Sequence, residues 1–348
     1  MTQQIIPRLD TMQAIAQRVA EQGRADAQLA PIWAEKLRHT YSKVLETKYP
    51  EYMAEAGNIL PIDTEVDPAA EEWEYFKIDS RSSADWIDDD GMVAPNGATV
   101  MSRFTGRMHS IGHEYDWTIF DLERAAAANV PLAKIKADDA RRAHAAKTDW
   151  VWLFGDSPRG LPGLMNHPNI TVSMAALNGG ATSRLWTNKT ADEIATDMSV
   201  LINTIATNTL QAYSAATVLM PLSLFHRLRD LRLGAGDGFA SVLEWMKNRF
   251  QGDESGQGKV SFKILNQCSG SLRRNPNTGT DTSGISGDFV IALPQASKDE
   301  LAFVRARPFT QLPPEAEGFK VRNLSHSKIG GCKMQIPLAV HRLDFGLT

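Results

Sequence analysis

The segment Tyr115–Ile170, YDWTIFDLERAAAANVPLAKIKADDARRAHAAKTDWVWLFGDSPRGLPGLMNHPNI, constrains the fold more than any other part of the chain. Its spacing predicts a long alanine-rich helical rod, with charge on one side and alanine or bulky apolar residues on the other. Asp116 or Thr118 is placed to cap the helix start, and Asp121 and Glu123 fall in the first turns, where the helix dipole favours acids. Ala125–Ala128 has high helix propensity. Pro131 lacks a backbone donor and disfavours helix at Val130, so a kink or break is expected there. The second half, Leu132 to Phe154, ends in the aromatic cluster Trp150, Trp152 and Phe154, and Gly155 stops it. Gly160, Pro162 and Gly163 then form a corner leading into a β-prone run at Thr171–Met174. The segment thus supplies a stiff rod, an aromatic anchor at one end and a fixed corner.

The flanking segments lack cores of their own. Residues 1–60 show helical spacing at Leu9–Val19 and Ala30–Leu45, but they are thinly apolar and highly charged. Such an arm needs another surface to lie on. Residues 61–73 carry two prolines and five acids, as a linker or extended crossing would. Glu74–Ile78 and Thr99–Trp117 read as strands around a polar tip, DSRSSADWIDDDGMVAPNGA, at residues 79–98. Together they make a long hairpin that requires outside support.

After the corner, helix and strand alternate in what reads as one compact α/β unit at 185–300. Thr190-Ala-Asp-Glu193 and Ser241-Val-Leu-Glu244 are capping boxes that open helices. The first helix is expected to run to about Tyr213, and a second amphipathic helix spans Pro221–Leu233. Strands are expected at Ala216–Met220, Val260–Leu265 and Phe289–Leu293, then a short helix at Ser297–Val304. The tail is β-rich, and Pro337 marks an edge or bulge. The fold class is therefore α+β.

Chemistry-bearing motifs are sparse. There is no P-loop and no GxGxxG after a strand, and Gly234-Ala-Gly-Asp-Gly238 follows a helix and reads as its stop. His109, His113 and Glu114 share a region, but no Cys or His cluster completes a zinc shell. Asp88-Asp-Asp90 lacks the rest of an EF-hand. Cys268 with His326 could make a thiol nucleophile and its base, but nothing local marks either as activated. No catalytic, metal or cofactor site is expected. The net charge of −4 argues against a dedicated nucleic-acid binder. Two cysteines imply no disulfide framework and fit a reducing compartment. No apolar run reaches membrane-span length, and the N-terminus lacks a signal-peptide pattern.

The order of parts, with FDLERAAAANVPL, WLFGDSPRGLPGLMNHPNI, TADEIATDMSVLINTI and the ending IPLAVHRLDFG, resembles the major capsid proteins of tailed bacteriophages, the Hong Kong 97-type fold shared with encapsulins. The resemblance covers most of the chain from about residue 40. It implies an N-terminal arm at 1–70 and an extended hairpin loop at 71–116. It implies a spine helix and peripheral domain at 117–177, an axial domain at 178–310, and peripheral strands at 311–348. The implied function is a structural protein whose pentamers and hexamers close an icosahedral shell around double-stranded DNA. That shell is the virion capsid, built in the host bacterial cytoplasm with portal, scaffolding and decoration proteins as partners and no membrane. DNA would be enclosed without specific binding, since its repulsion from an acidic wall is screened beyond roughly 8–10 Å. An encapsulin-type compartment is the alternative within the fold, and a soluble thiol-dependent hydrolase is the alternative outside it.

Within that family the hairpin tip would bind a neighbour. Trp86 and Ile87 would be the apolar anchor, and Arg81, Asp85, Asp88, Asp89 and Asp90 the charges that set register. Some relatives weld their shells through an extended-loop lysine and a peripheral asparagine. Residues 79–117 contain no lysine, and Lys77 lies at the hairpin base, so no such weld is expected even though Asn323 is present. The arm is short for a cleaved scaffolding segment, which points to a separate scaffold.

Overall fold

The computed structural model describes residue 17 and residues 51–83, 97–234, 240–251, 259–295 and 297–345. Met1–Tyr49 and Pro50–Thr348 are separate units, and the elements that follow belong to the second. Among the described residues there are two sheets and five α-helices. The first sheet runs β1 (Ile62–Asp63), β8 (Leu301–Gln311), β10 (Lys320–Met334), β3 (Ala98–Thr118), β2 (Glu72–Arg81), and β9 (Glu315–Glu317) also pairs with β10. The second runs β4 (Thr171–Met174), β11 (His341–Phe345), β7 (Asp288–Pro294), β5 (Ala215–Met220), β6 (Ser261–Ile264).

The rod forms as two helices, α1 (Ile119–Ala127) and α2 (Leu132–Phe154). Thr118 is the cap: its hydroxyl accepts from the Asp121 N–H at 3.1 Å, and the Asp121 carboxylate accepts from the Thr118 N–H at 3.2 Å. The break falls at the expected proline, with Asn129 at φ 55° and Pro131 as the residue preceding α2. The first turns of α2 are solvated, whereas Thr148 to Phe154 is buried without interruption. The aromatic end is thus driven into the core rather than laid upon it. Trp152 stacks on Phe303 at 4.9 Å and donates to the Gly330 carbonyl.

Two hydrophobic cores lie on opposite faces of the second sheet. Every residue of β7 is buried, and its alternation divides them: Phe289, Ile291 and Leu293 join the α2 end and β8, while Val290 and Ala292 face the helices. Those helices are α3 (Ala191–Asn208), α4 (Leu222–Asp230) and α5 (Val242–Arg249). The capping boxes at Thr190 and Ser241 both form.

Several boundaries differ from the sequence reading. Residues 51–63, expected within the arm, pack into the body instead. Ala54, Ile59 and Leu60 are buried in the first core, and β1 pairs with β8. Residues 301–304 are strand, not helix. Ser297 and Glu300 make the local cap contacts of a helix start, but both faces of the run Leu301–Val304 are buried, so tertiary packing overrides the local signal. α3 ends at Asn208, with left-handed Leu210 and Gln211 following it. The tail strands part company: β10 lies in the first sheet and β11 enters the second beside β7. Pro337 opens the 3-10 turn Pro337–Ala339 that carries the chain between the sheets.

Candidate assembly surface

β3 is a single strand of 21 residues that changes partner along its length. From Met108 to Thr118 it pairs with β10, and from Ala98 to Arg107 it pairs only with β2. The β2–β3 ribbon therefore leaves the body, and the register Tyr75↔Phe104 to Arg81↔Ala98 has no third strand. Its base is anchored. Trp73 lies over Gly106, where a Cβ would approach the indole to 2.2 Å. Tyr75 stacks on Phe104 at 5.1 Å and donates to the Met334 carbonyl at 3.0 Å.

Farther out, opposed residues share a face, so Phe76, Ile78 and Met101 line one side of the ribbon and Val100 the other. Their exposures are 54%, 61%, 62% and 58%. Glu74 pairs with Arg103 at 2.5 Å on the same side as Phe76. Two-stranded ribbons are marginal alone, and contiguous exposed apolar side chains mark interaction surfaces. The ribbon is thus built to be covered. Arg81 ends β2, pairs with Asp79 at 3.4 Å and is almost fully solvated. Asp85, Trp86, Ile87, Asp88, Asp89 and Asp90 lie outside the described residues.

The corner residues do come together. Gly155 has φ 74° and Gly160 φ 67°, the latter closing the 3-10 turn Ser157–Arg159. Past the turn the chain runs back along the helix end. Leu164 and Met165 donate to the Trp152 and Leu153 carbonyls at 2.8 Å, which satisfies groups a helix terminus otherwise leaves unpaired. Gly163 does not have a left-handed backbone. It is required by proximity, because a Cβ there would lie 2.3 Å from the Gly155 nitrogen.

Three buried polar groups around the rod were not singled out from sequence. Asp149 is 2% exposed and has no cationic partner among the described residues; its carboxylate accepts from the Ala54 N–H at 2.8 Å and the Gln267 amide at 3.1 Å. Burial pushes it up to about 6. Arg273 is 1% exposed, bonds Asp281 at 2.7 Å and the Ile285 carbonyl at 2.6 Å, and lies over the Phe154 and Phe289 rings. His144 meets the Ser327 and Ser325 hydroxyls at 2.9 and 3.2 Å, and burial, with His113 nearby, holds it below the usual histidine range. A charged or polar residue inside an otherwise apolar run, as in KTDWVWLF, was the available signal for Asp149.

The thiol pair does not assemble. Cys268 sits in the first core, where burial pushes its thiol up, and His326 bonds Arg307 on the first sheet. Among the described residues no group of three or more His, Cys, Asp or Glu could hold a metal, and no helix is long and apolar enough to cross a membrane.

No curated protein matches the chain. Among solved structures, the capsid of Myoviridae phage XM1 matches at TM-score 0.72 and 17% identity, covering 90% of this chain and 98% of that one. A protein of Mycobacterium phage Ogopogo matches at TM-score 0.59 and 9% identity, over 88% and 96%. The capsid of an empty GTA particle matches at TM-score 0.58 and 12% identity, over 89% and 95%. These likenesses concern the fold. The family model described as Major capsid protein matches residues 82–345, well over half of the sequence, and the chain therefore belongs to the major capsid protein family.

Proposed function

We propose that copies of this chain close into an icosahedral shell of pentamers and hexamers that encloses phage double-stranded DNA, each hairpin lying across a neighbouring copy. The projecting β2–β3 ribbon carries this reading, because its large apolar side chains are exposed on both faces. Residues 1–49 act as the arm that reaches neighbours, and α1–α2 with the first sheet form the peripheral domain. α3–α5 with the second sheet form the axial domain. Portal, scaffolding and decoration proteins complete the virion, and assembly occurs in the bacterial cytoplasm. No enzymatic step is required of the chain. Sedimentation of the purified protein over a range of concentrations tests the reading. A discrete, very large particle is expected, and monomers or dimers alone at high concentration would contradict it.

A further inference from the structure

Between β4 and α3 the chain makes a tight turn, Asn178-Gly-Gly-Ala-Thr-Ser183. The Asn178 N–H donates to the Ser183 carbonyl at 2.9 Å, and the Ala181 N–H to the Asn178 carbonyl at 2.7 Å. Three donors converge on the Asn178 side-chain oxygen: the Thr182 N–H at 2.9 Å, the Ser183 N–H at 3.1 Å and the Thr182 hydroxyl at 3.2 Å. Two of them are backbone N–H groups, which fixes Oδ1 as the atom they meet. On the next residue, the Gly179 N–H donates to the Glu193 carboxylate at 2.5 Å. The other Glu193 oxygen accepts from the Thr190 N–H at 2.8 Å, so the start of α3 holds the carboxylate in place. A Cβ at residue 179 would lie 3.1 Å from that carboxylate, a crowding that glycine avoids. The Thr190 and Gly179 N–H groups also hold Glu193 below the usual carboxylate range, so it is ionised at neutral pH.

In an Asn-Gly pair the glycine nitrogen and the asparagine side-chain carbon are close enough along the chain to close an imide ring. Two things make that closure slow: an amide nitrogen is a poor nucleophile, and an amide carbon is a poor electrophile. The turn addresses both. A carboxylate meets the nitrogen that must lose its proton, and three donors meet the oxygen on which negative charge develops. We infer that Asn178–Gly179 is a self-modification site, where the Gly179 nitrogen attacks the Asn178 side-chain carbon with Glu193 as base. The N–Cγ bond forms as Glu193 takes the Gly179 proton, and the carbonyl electron pair moves onto Oδ1. Collapse of that oxyanion breaks the Cγ–Nδ2 bond. The nitrogen leaves as ammonia with the proton that Glu193 returns, and a succinimide remains. Water then opens the ring to aspartate or isoaspartate. Gly179 and Gly180 are exposed, so water reaches the ring. Each conversion adds one negative charge to the copy that undergoes it.

The test follows the full chain by peptide mass spectrometry, which reads the loss of ammonia and then the gain of water at Asn178. The folded chain should convert Asn178 at least about tenfold faster than the same chain unfolded in urea. Asn96-Gly97, the other Asn-Gly pair of the sequence, monitors conversion during digestion. The folded rate should stay level between about pH 6 and 8, where Glu193 is ionised throughout, whereas the unfolded rate climbs with hydroxide. A folded rate equal to or below the unfolded one, or one that climbs with pH in the same way, overturns the proposal. Glu193→Gln keeps an acceptor for the Gly179 N–H but takes no proton, and it should slow conversion by about tenfold. Thr182→Val removes one donor to Oδ1 and keeps both backbone donors, and it should slow conversion by roughly threefold. Thr182 is exposed, so this second variant folds even where Glu193→Gln does not. Conversion of the folded variants at the parent rate would mean that these contacts only tie the turn to α3, and would overturn the proposal.

Discussion

Replacing Asp149 with asparagine should stabilise the subunit at neutral pH. Asp149 is a carboxylate inside the first core, and among the described residues two amides but no cation meet it. Its ordinary value of 3.8 is pushed up to about 6 by burial, so the folded state holds this proton more tightly than the unfolded chain does. The sign follows by linkage: stability falls as pH rises between 3.8 and about 6 and is level above that. The displacement corresponds to about 3 kcal/mol carried as a penalty at pH 7. Asparagine keeps an acceptor for the Ala54 N–H, and Gln267 can rotate to present its oxygen to the new amide. The charge is removed with little change of shape. Unassembled subunits would be unfolded in urea at several pH values, followed by tryptophan fluorescence, to which the buried Trp150 and Trp152 contribute. Other carboxylates act in the opposite sense: hydrogen bonds from Arg322 and Lys320 hold Glu114 and Asp116 low. The informative quantity is therefore the parent–variant difference. It should be small near pH 4 and grow to between about 1 and 3 kcal/mol in favour of Asp149→Asn by pH 7. Parallel profiles, or a variant less stable at pH 7, would refute the reasoning.

Other substitutions probe the corner, the arm and the tip. Gly163→Val should abolish soluble expression or lower stability by several kcal/mol, since its Cβ would clash with backbone atoms of Leu153, Phe154 and Gly155; thermal melting of any soluble product checks this. Removing residues 1–49 should leave a folded body that assembles poorly, read by circular dichroism and sedimentation. A cut at residue 60 should instead unfold it, because Ala54, Ile59 and Leu60 leave the core. Trp86→Ala should keep the subunit folded but shift shells to small oligomers, a loss of about 2–4 kcal/mol per contact. Parent shells should dissolve to single chains on a denaturing gel, since the hairpin tip carries no lysine, and a covalent ladder would contradict this.

What could be read from the sequence was local. Thr118 acts through its own hydroxyl and Pro131 and Gly155 through their own backbone, and each falls where its chemistry requires. The two capping boxes read from the sequence, at Thr190 and Ser241, are equally short-range. The failures are long-range. Leu301–Val304 begins after helix-like cap contacts, and only the first core around Leu301 and Phe303 on one side and the small cluster of Val304, Met108 and Ala306 on the other make it a strand. Gly163 looked like a turn residue, but it is needed because its own segment folds back against Leu153–Gly155 at the helix end. Asp149 and His144 matter through partners far along the chain, Ala54 for one and Ser325 and Ser327 for the other. Among the described residues nothing covers the exposed apolar side chains of the ribbon, and a partner on another chain leaves no local pattern in the sequence.

That covering surface is the central claim, and a cryo-microscopy reconstruction of particles formed by the purified chain tests it most directly. The expected map is a closed icosahedral shell in which Phe76, Ile78 and Met101 of every copy are buried against a neighbouring copy. A closed shell whose hairpins stand free in solvent, or the absence of particles at any concentration, would contradict it.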